Sequence, residues 1–239
     1  MLEYDNIIVG SGPSGLMCAS QLKSKTLVLE KNEEIGGKIK VSGGGRCNLT
    51  NSKDIEGIIN NVPRNGKFLY STLNSFGPQE IINFFESNGL TLKEEDHNRI
   101  FPDDNKSISV INTLKVACKK NGVDFKLNHH VKDIIKNDSF FEIDKKYKAK
   151  NLIIATGGKT YFNLGTTGDG YEFAKKFGHT ITDLFPTECA LVSNDLLSPS
   201  VKSIIDFGDS IFTQTINDLA ISCSYGIMNI NDPLAACCE

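Results

Sequence analysis

The chain opens on a short apolar run. Asn6-Ile7-Ile8-Val9 has no polar alternation, the pattern of a parallel strand buried on both faces. Gly10 to Gly15 then place three glycines in six positions, and residues 14–23 set Leu16, Ala19 and Leu22 near helical spacing. A second apolar run, Thr26-Leu27-Val28-Leu29, follows. Together these predict a strand–turn–helix–strand unit of about 25 residues. Residues 31–52 carry Gly36, Gly37, Gly43, Gly44 and Gly45 and predict a loop, since so many glycines are costly to fix inside a helix or strand. Helical periodicity returns at 66–75, 78–87 and 107–120, the last with Ile108, Ile111, Leu114 and Ala117 on one face. Between 123 and 155 the period shifts towards two. Short strands are predicted at 123–127, 131–135, 140–143 and 152–155, separated by Asn, Asp and Lys turns. Residues 169–177 predict a helix ending at Gly178. The pattern is that of an α/β fold with a parallel sheet and a small β-meander.

Candidate chemistry lies at the first turn. Gly10-Ser11-Gly12-Pro13-Ser14-Gly15 matches GxGxxG and stands where that pattern has meaning, after an apolar strand and before a helix. Gly10 permits the turn, Gly12 lets a diphosphate approach the backbone, and Gly15 lets the helix pack on the strand. The helix start, with Pro13 and Ser14, offers free N–H groups and a positive dipole end. Glu30 ends the next strand, 20 residues after Gly10, where a carboxylate accepts from ribose hydroxyls and repels a 2′-phosphate. These features predict a dinucleotide, without deciding which.

Charge and composition exclude more than they add. The net charge is −3 and the lysines are interleaved with acids, so no phosphate-backbone partner is expected. Lys145, Lys146, Lys148 and Lys150 predict a solvated hairpin. No segment approaches the ~20 apolar residues of a membrane span, and Glu3 and Asp5 stand where a secretory signal carries positive charge. The expected location is cytoplasmic. The seven cysteines are odd in number and none forms CxxC, so reduced thiols and no metal site are expected. His97, His129, His130 and His179 carry no ligand spacing and read as structural.

Longer motifs point to a family. Glu30-Lys31 followed by Ile35-Gly36-Gly37-Lys38 is similar to the N-terminal FAD motif of flavoproteins. Ser42-Gly43-Gly44-Gly45-Arg46-Cys47-Asn48-Leu49-Thr50-Asn51 resembles the signature of the YhiN-like flavoproteins, also described as aminoacetone-oxidase-like or 3-dehydro-bile-acid reductase-like. Ala155-Thr156-Gly157-Gly158-Lys159-Thr160-Tyr161 and Gly165-Thr166-Thr167-Gly168-Asp169-Gly170-Tyr171 resemble the same family, whose Pro after that Tyr is Phe162 here. The likeness covers about residues 4–192. It implies an FAD-binding Rossmann-like domain and a flavin-dependent oxidoreductase, with NAD(P)H or oxygen as the second redox partner and a small-molecule substrate. The cofactor-binding candidates are Gly10, Gly12, Pro13, Ser14, Gly15, Glu30, Lys31, Gly37, Lys38, Gly44, Gly45, Arg46, Cys47, Asn48, Thr156, Gly157, Gly158, Gly168 and Asp169. From the residues themselves, Arg46 suits phosphate or flavin contact, with a surface salt bridge as the alternative. Asn48 and Asn51 are either cofactor donors or turn caps. Cys47 suits packing better than redox work. No side chain stands out as a catalytic acid or base, and nothing sets an oligomeric state.

The likeness implies a longer protein, with an inserted β-rich domain after Pro186 and a returning segment that closes over the flavin. Instead, Ser203 to Ser210, Asn217 to Ala220 and Asn231 to Ala236 resemble part of the aminoglycoside-phosphotransferase-like kinases, in which the residue matching Asp206 holds magnesium. The expected organisation is therefore an incomplete FAD-binding domain at 1–190 and an atypical tail at 191–239. The kinase catalytic loop and ATP lobe are not in the sequence, and phosphoryl transfer needs both. Flavin-dependent oxidoreduction is the favoured function. A flavoprotein fragment without turnover is the alternative, ahead of a phosphotransferase fragment.

Overall fold

A computed structural model describes residues 1–62, 65–160, 162–184 and 228–229. The expected tail, with Asp206, Cys223, Cys237 and Cys238, lies outside the described residues apart from the backbone of 228–229, and so does Cys189 before it.

The main sheet is built outward from β1 (Leu2–Val9). On one side β1 pairs parallel with β2 (Thr26–Leu29), Ile8 opposite Val28. On the other it pairs parallel with the much later strand Tyr147–Ile154, Ile8 opposite Ile153. Between β1 and β2 runs α1 (Pro13–Gln21).

The chain then makes a long excursion. It passes through α2 (Gly37–Val41), β3 (Thr50–Asn51), α3 (Ile55–Ile59), α4 (Tyr70–Ser75), α5 (Pro78–Ser87), β4 (Leu92–Glu95), β5 (Arg99–Pro102) and α6 (Ser107–Lys120). It returns as β6 (Asp124–Lys126), parallel to β2. The meander β7 (Ile134–Lys136), β8 (Phe141–Ile143) and β9 (Tyr147–Ile154) follows, and then α7 (Asp169–Lys176). The sheet order is β6-β2-β1-β9-β8-β7, and the backbone of β10 (Met228–Asn229) pairs antiparallel with the end of β9.

Period two along β1 explains why its run is uniformly apolar. Ile8 points into one core with Leu16, Ile111, Leu114 and Phe85. Ile7 and Val9 point into the other with Ile134, Ile143 and Phe173. Both faces are covered, so Ile7 to Val9 are apolar, and the buried Asn6 before them is admitted with hydrogen bonds to the Ser24 and Thr26 hydroxyls.

The predicted spans at 26–29, 78–87 and 107–120 stand as read. Other readings change. The strand read at 131–135 is Ile134–Lys136, that read at 152–155 is the end of Tyr147–Ile154, and the helix read at 66–75 is α-helical only over Tyr70–Ser75. The 31–52 loop contains the short helix α2. A second sheet, β3-β5-β4, was not predicted. Ile108 is exposed on α6, because the buried face centres on Val110, Ile111, Leu114, Ala117 and Cys118.

The order β6-β2-β1-β9 has a functional consequence. From β1 the chain moves to one side, then crosses back to the other. The carboxyl ends of β1 and β9 therefore flank a switch point, where open α/β sheets bind their ligands. Val9 leads into the glycine turn there, and Ile154 into the Thr156-Gly157 turn.

Candidate functional site

The glycine turn is built by contact. Gly10 has φ 105°, and its N–H donates to the Leu29 carbonyl at 2.8 Å. A Cβ at Gly10 would run into the Ala155 carbonyl oxygen, and one at Gly15 into the Gly10 carbonyl oxygen. These two glycines let α1 and β9 close on the turn. Gly12 differs. Its backbone is extended (φ −71°, ψ −174°), and a Cβ there would meet nothing within 4 Å. Bare main chain faces open space at the start of α1, with Pro13 in the first turn and no acidic residue to offset the helix dipole. Ser14 and Gly15 are buried.

Glu30 is held beside this turn. One carboxylate oxygen accepts from the Ser11 N–H at 2.8 Å and the Ser11 hydroxyl at 2.6 Å, and the other from the Asn32 N–H at 2.9 Å. The side chain is buried. The oxygen that accepts only from Asn32 keeps a free acceptor site, so the carboxylate is oriented without being used up.

Two further segments close around the turn. Gly36 (φ 71°) donates its N–H to the Ser11 carbonyl at 2.9 Å, which starts α2 against the glycine turn. Gly37 lies near the Leu164 carbonyl, and the Lys38 amine reaches the Thr160 hydroxyl at 3.4 Å. Burial pulls the Lys38 amine below the usual lysine range. From the other side, Gly157 (φ 73°) packs on the Thr166 side chain and Gly158 near the Tyr171 hydroxyl. Gly168 (φ 81°) caps α7, which packs through Gly170 against the Thr156 hydroxyl.

Lys31 and Asp169, read separately from the sequence, are partners. The Lys31 amine donates to the Asp169 carboxylate at 2.9 Å and to the Thr167 hydroxyl at 2.7 Å, and His130 lies 3.3 Å from the same carboxylate. Burial pushes the Asp169 carboxyl up, but Thr167, Lys31 and His130 outweigh it and hold the group below the ordinary aspartate range. With the folded value below the unfolded one, the stabilisation is present above about pH 4 and is lost as pH falls through the carboxylate range. The melting temperature is therefore expected to drop between about pH 5 and pH 3, and Asp169→Asn to drop less. Equal drops in thermal melts of the two proteins would show that the clamp adds nothing.

The Ser42–Asn51 segment leans on the second sheet. Gly43, Gly44, Gly45 and Cys47 all have positive φ. Arg46 forms a salt bridge to Glu95 at 3.0 Å, with its guanidinium part-exposed. Asn51 takes the turn-cap alternative: it donates to the His97 carbonyl at 2.9 Å and accepts from the Lys53 N–H at 3.0 Å. Asn48 is buried. Cys47 is buried too, and desolvation pushes its thiol up to about 12, which disfavours the thiolate. Cys18 and Cys118 are also free thiols. Among the described residues no group of three His, Cys, Asp or Glu could hold a metal ion, and no helix is long and apolar enough to cross a membrane.

Residues 4–227 match the model of the HI0933-like protein Rossmann domain. The chain belongs to the HI0933-like Rossmann family. The match runs past residue 190, where the tail was expected to begin. It is 30% identical over 210 residues to the ribosomal RNA dihydrouridine synthase of Escherichia coli, covering 85% of this chain and 51% of that protein. It is 32% identical over 188 residues to the 3-dehydro-bile acid delta(4,6)-reductase of Clostridium scindens, covering 75% and 45%. Among solved structures, a flavocytochrome c3 fumarate reductase in its open conformation shares the fold at a TM-score of 0.54 and 22% identity, over 73% of this chain and 40% of that one. The chain spans about half the length of the curated relatives it matches. This HI0933-like protein is thus an FAD-binding Rossmann flavoprotein of an oxidoreductase family.

The site fits the adenosine diphosphate half of FAD. Gly12 and the start of α1 leave room and bare donors for the diphosphate, and the Glu30 carboxylate stands ready for the ribose diol. Sequence reading missed Ser11, Thr167, His130 and Glu95. Only Ser11 carried a signal, being a hydroxyl inside the glycine motif.

Proposed function

We propose that this HI0933-like protein is an FAD-dependent reductase of carbon–carbon double bonds conjugated to a carbonyl, with NAD(P)H as electron donor. One observation supports the reading above others: open space before the Gly12 backbone at the β1/β9 switch point, next to a carboxylate held by three hydrogen bonds. When bound, the flavin supplies the hydride chemistry. The chain's own residues hold and orient it. The start of α1 receives the diphosphate, Glu30 the ribose, and the Lys31–Asp169 pair ties β2 to α7 at the mouth.

The two curated relatives suggest the bond that changes. Forming dihydrouridine and reducing a delta(4,6) 3-dehydro-bile acid both saturate a carbon–carbon double bond next to a carbonyl. We take the substrate to be a small molecule. The net charge is −3, and Lys148, Lys150 and Lys176 are each engaged by Glu3, Asp5 and Asp133, which leaves them poorly placed to grip an RNA backbone.

Purified protein tests this. Released FAD, anaerobic bleaching by NAD(P)H and reoxidation by a small cyclic enone are the expected results. Reoxidation by unmodified ribosomal RNA alone would instead assign an RNA base as substrate. Bound flavin that no nicotinamide bleaches would mark a protein without turnover, and a colourless protein would sink the flavin reading. Glu30→Gln is expected to weaken FAD binding about 10- to 100-fold, the usual worth of hydrogen bonds to a charged group. Flavin fluorescence titration reads it, and unchanged affinity would remove Glu30 from the site.

A further inference from the structure

The run Gly43-Gly44-Gly45 has no side chain with which to hold its shape. All three residues are left-handed, at φ 56°, 66° and 87°, and a Cβ at Gly44 would meet nothing within 4 Å. Gly43 is pressed against the Asn48 backbone and the Phe101 ring, and its carbonyl accepts from the Arg46 N–H at 3.3 Å. The run is costly to order, and it adjoins α2, whose start is hydrogen-bonded to the glycine turn at Ser11. The first side chain after it is Arg46. One terminal nitrogen of Arg46 lies 3.0 Å from both carboxylate oxygens of Glu95 and 3.4 Å from the Asn105 amide oxygen. The guanidinium sits 4.2 Å over the ring of Phe101, which is itself buried. Lys93 lies 3.4 Å from Glu95. Burial pushes the Glu95 carboxyl up, but Arg46 and Lys93 outweigh it and hold it low. The other guanidinium N–H groups make no hydrogen bond among the described residues and remain available to a ligand.

We propose that Glu95 is a positioning residue for the flavin site. It holds Arg46 flat on Phe101, and so fixes both the bare 43–45 backbone and one positive charge beside the bound cofactor. The β4–β5 hairpin becomes a backboard for the glycine loop. An exposed ion pair is worth little to stability, so the pair's contribution lies in geometry. A planar guanidinium between ring and carboxylate is a defined object in a way that a lysine is not. The proposal rests on the FAD reading above.

The test uses the full 239-residue chain. Glu95→Gln, Arg46→Lys and the exchanged pair Arg46→Glu with Glu95→Arg are compared with the unaltered protein. Readouts are melting without ligand, FAD affinity and the visible flavin spectrum. Each single change is expected to leave melting unchanged, weaken FAD about tenfold and shift the flavin bands. Glu95→Gln that keeps both affinity and spectrum overturns the proposal while the FAD reading stands. So does loss of affinity in step with lost melting in both single variants, which is a purely structural role. The exchanged pair is expected to bind no better than either single change, because the charge would then sit on the hairpin; full recovery there would overturn the placed-charge argument. A wild-type chain that takes up no FAD overturns the FAD reading itself.

Discussion

Gly12→Val is expected to abolish FAD retention while leaving the fold intact. Its extended backbone is one that β-branched residues favour. The space before its α-carbon is empty to 4 Å, so the new side chain strikes no protein atom at its Cβ. It fills the volume a diphosphate needs and covers the donors at the start of α1. Losing two charge-assisted hydrogen bonds, at roughly 1.5–3 kcal/mol each, weakens binding by at least about a hundredfold. Flavin content after purification and the melting temperature together check this. A variant as yellow as the wild type would show that the diphosphate does not rest there.

Gly15→Val is expected to do the reverse and damage the fold. Its Cβ would enter the carbonyl oxygen of Gly10, and that carbonyl belongs to a turn closed against Ala155. Backbone on both sides cannot rotate away. Overpacking of this kind costs typically 1–3 kcal/mol, and more where nothing can yield. With total stability of only about 5–15 kcal/mol, the melting temperature should fall by about 10 °C or the chain should become insoluble. Melting of Gly15→Val within experimental error of the wild type would show that α1 is not seated so closely. Two glycines three residues apart therefore have opposite duties, one leaving space for a ligand and the other letting the helix approach.

The parts of the molecule that were legible are those with local signals. The 5–9 and 26–29 runs, the glycine turn between them and the helices at 78–87 and 107–120 each carry their own periodicity or punctuation, and each appears in the structure. The β3-β5-β4 sheet carried none. Its strand Leu92–Glu95 is mostly charged and its third strand has two residues, so neither alternation nor β-branching marks it. The site shows the same division. Gly10, Gly12, Gly15 and Glu30 sit within one unit, so their nearness was readable from spacing alone. The Lys31–Asp169 pair and the Arg46–Glu95 pair join residues far apart in the chain, 138 and 49 positions, and only tertiary structure makes them neighbours. For Arg46 the sequence offered cofactor or salt bridge. The structure supplies the salt-bridge partner, Glu95, and that partner belongs to a hairpin with no local signature.

The central strand has one neighbour close behind it in the chain and one very distant. Leu2–Val9 gains β2 almost at once, but its other edge is matched only by Tyr147–Ile154. At about 5–20 residues per second of synthesis, a nascent chain carries that edge uncovered for roughly ten to thirty seconds. During that interval its unpaired amides and carbonyls are a template for any passing strand. The clamp between Lys31 and Asp169 forms later still, since it needs α7 as well as the closed meander.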